Sequence, residues 1–287
     1  MTTTTAPTLT PVERPAATRT PRVRFRDLVA AEWIKLWSLR STKWSFLAAA
    51  FVVLGENLLS AWGDYSNYPD YSAKIKAVFV PYWALGDAFN DGSAFLLVIA
   101  AGAIGANLVV NEYGTRLIRT TFAAVPARRS VMAAKVVLAT GVFVVFGALI
   151  VGVSFWADEA ILSLRHAGLS IGYPGALRVT VAAALLAPIA ALIGMAIGAV
   201  VRHPATTMVL LIVLNVVVPA LLLDQRRLSA TIDEAMPITA WARLPAIGDQ
   251  TGPGPIGMSM AHAWIVYAAW AVVSVIVTVV VPARRDV

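Results

Sequence analysis

Six stretches of this chain are apolar for long enough to cross a lipid bilayer, and that requirement governs everything else it can form. A hydrocarbon core of about 30 Å needs roughly 20 consecutive apolar residues in helical form, and a backbone surrounded by lipid must satisfy its own hydrogen bonds. The candidate spans are Trp44–Trp62, Ala94–Val110, Ala133–Trp156, Arg178–Val201, Thr206–Leu223 and Ala263–Val281. Composition agrees: 59% of the 287 residues are hydrophobic, 14% are charged and the mean hydropathy is +0.74, whereas soluble domains are about a quarter charged. The expected fold class is an all-α membrane protein with six transmembrane helices, and little length remains for a soluble catalytic domain.

Residues 1–23 are rich in Thr, Pro and Ala and read as a disordered cytoplasmic tail ahead of a membrane unit over 24–287. Arg24 to Arg40 places Phe25, Val29, Trp33 and Leu36 along one side of a helix with cations elsewhere, a pattern suited to the membrane interface, although Glu32 interrupts the apolar arc. The fourth and fifth spans are separated only by Arg202, His203, Pro204 and Ala205, where proline favours a reversal over one continuous helix.

Orientation follows from the cations. With the N-terminus inside, sixteen of the 23 Lys and Arg fall on the cytoplasmic side, while Asp64, Asp70, Asp87, Asp91, Asp158, Glu159, Asp233 and Glu234 fall outside. An even number of spans with both termini cytoplasmic satisfies this bias, and the net charge of +7 then calls for no nucleic acid. The expected location is the cytoplasmic membrane of a bacterial cell.

Motifs that carry chemistry are mostly missing. Cysteine is absent, which removes thiolate sites and disulfides. No phosphate-cradling G-x-x-x-x-G-K-[ST] loop and no H-E-x-x-H helix occur, and His166, His203 and His262 are far apart. Glu56 is read as the one carboxylate clearly inside a span, in its outer half beside Asn57; a lone acid suits helix packing or the vestibule of a substrate path. Asn107 and Asn215 are mid-span amides expected to hydrogen-bond across helices, and Gly194 and Gly198 form a small-residue face for close helix approach. Glu56, Asn107 and Asn215 are therefore the candidates for lining a cleft.

The most informative polar segment is Asn111 to Lys135, short and strongly basic, between the second and third spans. Gly114 is expected to end the helix leaving the membrane, Thr115 to cap a short helix reaching Ala124, Pro126 to stop it and Ser130 to cap the returning span. A short helix held crosswise by two spans is suited to passing force from a docked partner to both.

These residues carry a family resemblance. The pattern E-Y-G-T-x-x-x-R, then A-V-P-A-R-R-S and a lysine, resembles the coupling-helix region of ABC-2 type transporter permeases, and Glu32, Trp33, Lys35 and Leu36 resemble that family's N-terminal elbow helix. The likeness runs from about Arg24 to Arg284. It implies a permease that pairs with a second copy or a homologous permease, with two copies of a separate ATPase subunit binding ATP and Mg. The chain itself would hold no cofactor and catalyse no covalent step, exporting amphipathic, drug-like, peptide or lipid cargo. The resemblance makes Glu112, Gly114, Thr115, Arg116 and Arg119 the motor contact, and it implies re-entrant helices in the external segment 224–262, with Ile232–Leu244 helical and Gly252–Gly257 ending it. A secondary transporter, a membrane enzyme and a non-transporting membrane regulator or immunity protein remain as alternatives.

Overall fold

The computed structural model describes residues 24–82, 84–221, 227–245 and 258–284. The expected N-terminal tail and the Gly252–Gly257 stop lie outside these. Among the described residues the chain is all-helical, and six helical stretches are long and apolar enough to cross a membrane: Arg40–Asp70, Ala84–Gly114, Arg128–Ser163, Ala176–Val201, Pro204–Leu221 and Met260–Arg284. Each contains the matching span expected from hydropathy within the described residues, usually extended by a turn or more. The extensions exist because helix continues past the hydrocarbon-length core into polar residues that hydropathy excludes.

Helix α1 (Phe25–Ser38), where the elbow helix is expected, is separated by Leu39 in an extended conformation from α2 (Arg40–Asn67), the first span. A hairpin excursion follows through α3 (Ala73–Tyr82) and α4 (Ala84–Ala88) into α5 (Asp91–Gly114), the second span, whose first turn is capped by Asn90 accepting from the Ser93 amide at 2.8 Å. Helix α6 (Leu117–Ala124) lies between α5 and the third span, α7 (Arg128–Ser163). Helix α8 (Ala176–Val201) is the most buried span and packs against α5, α7 and the last span, α13 (Met260–Arg284).

Small residues allow this central packing. A Cβ on Gly194 would land on the backbone carbonyl of Gly102, one on Gly105 on that of Ala191, and one on Gly147 on that of Ala184, so α8 touches α5 and α7 backbone to backbone. A Cβ on Gly198 would meet the Val110 side chain first, at 2.9 Å, and the Ala106 carbonyl at 3.3 Å.

The fifth span is compound. Helix α9 (Pro204–Ile212) begins where Arg202 takes a left-handed conformation (φ 60°) and His203 caps the chain ahead of Pro204, making the expected reversal. It then widens into a π-helical turn, Val213–Val217, before α10 (Val218–Leu221). In the segment expected to be external, where one helix over Ile232–Leu244 was expected, the described residues form two: α11 (Arg227–Glu234) and α12 (Pro237–Arg243). Pro237 lacks the N–H an uninterrupted helix needs and instead starts the second one. Trp241 of α12 is buried, and the Trp270 indole donates to the Ala235 carbonyl at 2.8 Å, tying this pair to α13.

Candidate functional site

Four charged side chains from three helices meet at the end of the bundle that carries the elbow. Glu32 and Lys35 lie one turn apart on α1, Glu112 sits at the end of α5, and Lys135 occupies the second turn of α7. Lys35 Nζ donates to Glu32 Oε1 at 2.7 Å and to Glu112 Oε1 at 3.1 Å. Lys135 Nζ donates to Glu112 Oε1 at 2.9 Å and also to Glu32 Oε2. The four contacts close a ring in which each ammonium holds both carboxylates and the net charge is zero.

Glu32, Glu112 and Lys135 are buried, with 5%, 7% and 5% of their surface exposed, and Lys35 is partly exposed. Charges at such depth are tolerated only when paired. Burial alone would push the Glu32 carboxyl up, but Lys135 and Lys35 outweigh it and hold its pKa below the ordinary 4.5. Burial likewise opposes the Lys35 charge, and Glu32 and Glu112 outweigh it, raising its pKa above the ordinary 10.5.

Helix α6 is strung between two members of the ring, Glu112 and Lys135. Ile118 and Phe122, one turn apart, are the buried side of α6, while Leu117, Arg119 and Thr120 face outward. The Arg128 guanidinium stacks over Phe122 at 5.3 Å. Both flanks of α6 are thus locked to the elbow.

The expected motor-contact residues divide. Gly114, Thr115, Arg116 and Arg119 are exposed. Glu112 is not: it faces Lys35 and Lys135 inside the protein, because two cations within hydrogen-bond reach draw it inward. The turn also differs from expectation. Helix α5 ends at Gly114 as expected, but Arg116 takes the left-handed conformation (φ 59°), and the Thr115 hydroxyl donates back to the Asn111 carbonyl at 2.8 Å instead of capping α6. Ser130 lies inside α7, which starts at Arg128 after Ala127, so it is no cap either. On the elbow, Leu36 is buried and Trp33 is half exposed.

Against the inner face of the ring lies a cavity of about 280 Å³ between α1, the start of α2, the end of α5 and α7. Asn107 is in its wall. The other two cleft candidates are elsewhere. Asn215 is buried in the π turn, where its Nδ2 donates to Leu211 O at 3.0 Å within its own helix, not across helices, and its Oδ1 has no partner among the described residues. Glu56 is at the opposite end of the bundle, its carboxylate 2.9 Å from where a Cβ on Gly92 would sit, beside the positive N-terminus of α5.

Other buried acids lie in the polar extensions that carry the helices past their apolar cores. Asp87 and Asp158 lie inside the second and third spanning stretches and are 7% and 5% exposed. Ser60 donates to Asp87 Oδ1 at 2.8 Å and Tyr71 to Asp64 at 2.6 Å, and these carboxylates are close enough for their charges to interact. Asp87 Oδ2 and Asp158 Oδ1 have no hydrogen-bond partner among the described residues. Nearby, Asn57 donates to Ser154 at 2.8 Å and accepts from Asn90 at 3.3 Å. The sequence places these acids in external loops because the apolar core of each span stops short of them, whereas the helices continue. Among the described residues no group of three His, Asp or Glu is placed to hold a metal ion.

No protein-family model matches the chain, and no curated protein matches it.

Proposed function

We propose that this chain is the membrane-spanning permease subunit of an ATP-driven exporter, moved from the cytoplasmic side by a separate ATPase. The supporting observation is the closed Glu32–Lys35–Glu112–Lys135 ring, which joins the elbow, the second span and the third span around an exposed basic helix. A partner pressing on Arg116 and Arg119 displaces α6, and the ring passes that displacement to α1, α5 and α7 together. Elements with two discrete packings convert such a push into a change of access. A second copy or homologous permease completes the transport path in this reading, with ATP and Mg held by the partner.

The cysteine-free sequence gives a direct test. A cross-linker attached at Arg119→Cys in cells should capture a protein carrying a phosphate-binding loop, and purified permease should stimulate that protein's ATP hydrolysis. Capture of no ATPase, together with transport that continues without ATP, would overturn the reading.

One observation favours a second reading, a proton-coupled secondary transporter: the buried Asp87 and Asp158 with their unpartnered oxygens. Acids buried in the interior of a helical bundle are typical of proton relays. Cargo movement that persists without any ATPase and is lost in Asp87→Asn would select it.

A further inference from the structure

The cavity beside the ion ring has a wall whose chemistry specifies a ligand. Its apolar floor is Leu36, Ile104, Leu108 and Leu138, and its volume of about 280 Å³ is near the lower end of small-molecule sites. The charged part of the wall is fully self-compensated, since Lys35 and Lys135 each bind both Glu32 and Glu112. An ionic headgroup entering here would lose water without gaining a counter-ion.

The uncharged polar wall carries both acceptors and donors, the hydroxyls of Ser41 and Thr42 among the latter. The hydroxyls of Ser38, Ser45 and Thr115 already donate to the carbonyls of Lys35, Ser41 and Asn111, so only their lone pairs remain. The side-chain amides of Asn107 and Asn111 line the cavity and make no hydrogen bond among the described residues. Their carbonyls add two more acceptors, and their NH₂ groups supply donors. A ligand that satisfies this wall must bring donors and acceptors together, as a hydroxyl does, and no net charge.

We infer that this cavity binds the uncharged, hydroxyl-rich headgroup of an amphiphile, such as a sugar or other polyol, with the apolar part of the molecule against the leucine floor. The inference deepens the permease reading by naming the class of cargo and rests on that reading only for the word cargo. Binding itself needs no ATPase.

The test uses full-length protein in lipid nanodiscs, carrying Ser41→Cys at the rim as its sole thiol. The measured quantity is the rate of maleimide labelling. An alkyl glucoside at about ten times its Kd should slow labelling about tenfold, while an alkyl sulfate and an alkyltrimethylammonium of equal chain length should not. Asn107→Leu should weaken the glucoside effect about tenfold in concentration, as expected for losing a hydrogen-bonding partner. In a separate single-thiol variant, Ser66→Cys, exposed at the far end of α2, should label at an unchanged rate and controls for direct effects of each amphiphile on maleimide reactivity.

A parallel arm places a dialkyl glucolipid in the nanodisc. Protection by either glucose compound supports the headgroup chemistry, and comparison of the two assigns its source to free cargo or to the membrane. Equal protection by all the probes, protection only by a charged probe, or no protection overturns the inference. If the site fails while the ATPase is still stimulated, the permease reading stands. If stimulation fails while the site binds, only the permease reading falls.

Discussion

At the scale of single residues, the ion ring makes the sharpest demands. Lys135→Met leaves Glu32 and Glu112 buried with half their compensation, and should cost about 3 kcal/mol, measured by reversible unfolding in mixed micelles. Glu32→Met combined with Lys135→Met leaves Lys35 and Glu112 as a simple pair and should recover most of that loss, giving a large coupling energy in the double-mutant cycle. The ring also predicts a pH window. Because the folded-state pKa of Glu32 lies below 4.5, its contribution is complete above that value and disappears as pH falls through the folded one. Because that of Lys35 lies above 10.5, its contribution is complete below 10.5 and is lost as pH rises through the folded value. An environment-sensitive dye on Ala31→Cys, on the exposed side of the elbow, should report release at both extremes and a flat signal between them. The sequence showed the members of this ring but not the ring. Glu32 read as an intrusion in an apolar arc and Lys135 as one more cytoplasmic cation, because partners 103 and 23 residues apart leave no local signature.

At the scale of elements, glycines separate helix faces that touch from faces that do not. Gly194→Ala puts a methyl group into the Gly102 backbone and should cost about 3 kcal/mol, whereas Gly141→Ala, with open space around its Cβ, should gain up to about 1 kcal/mol through helix propensity. Thermal unfolding of the two variants side by side checks the contrast. The Gly194 and Gly198 face was legible in the sequence because small residues four apart share one side of a helix. The turn before α6 was not legible: glycine is the usual left-handed residue, yet here Arg116 takes that conformation. Arg116→Gly should therefore stabilise the turn by about 1 kcal/mol at the same time as it removes a surface cation. Element ends were misplaced for one consistent reason. Hydropathy marks where lipid ends, while helices run on until a capping residue, proline or left-handed turn stops them.

At the scale of the whole molecule, six spans and the order of their connections followed from hydropathy alone, since lipid leaves a chain of this composition no other regular structure. Which spans lie centrally did not. The inner position of α8 depends on its alanines and glycines meeting those of α5 and α7, a matter of pairing that one helix cannot reveal. The charge asymmetry has a testable consequence here. Thr120→Cys should react with an impermeant maleimide only from the cytoplasm and Ser66→Cys only from outside. Neutralising Arg116, Arg119, Arg128 and Arg129 together should produce a misoriented fraction in the same assay.

The ring of alternating charges is redundant: every member keeps one opposite neighbour if any single contact lapses. Three helices joined this way can pivot against one another without a bare ion ever being stranded in the protein interior. The connection therefore keeps every buried charge matched even when one of its contacts opens, so the three helices stay tied through small adjustments.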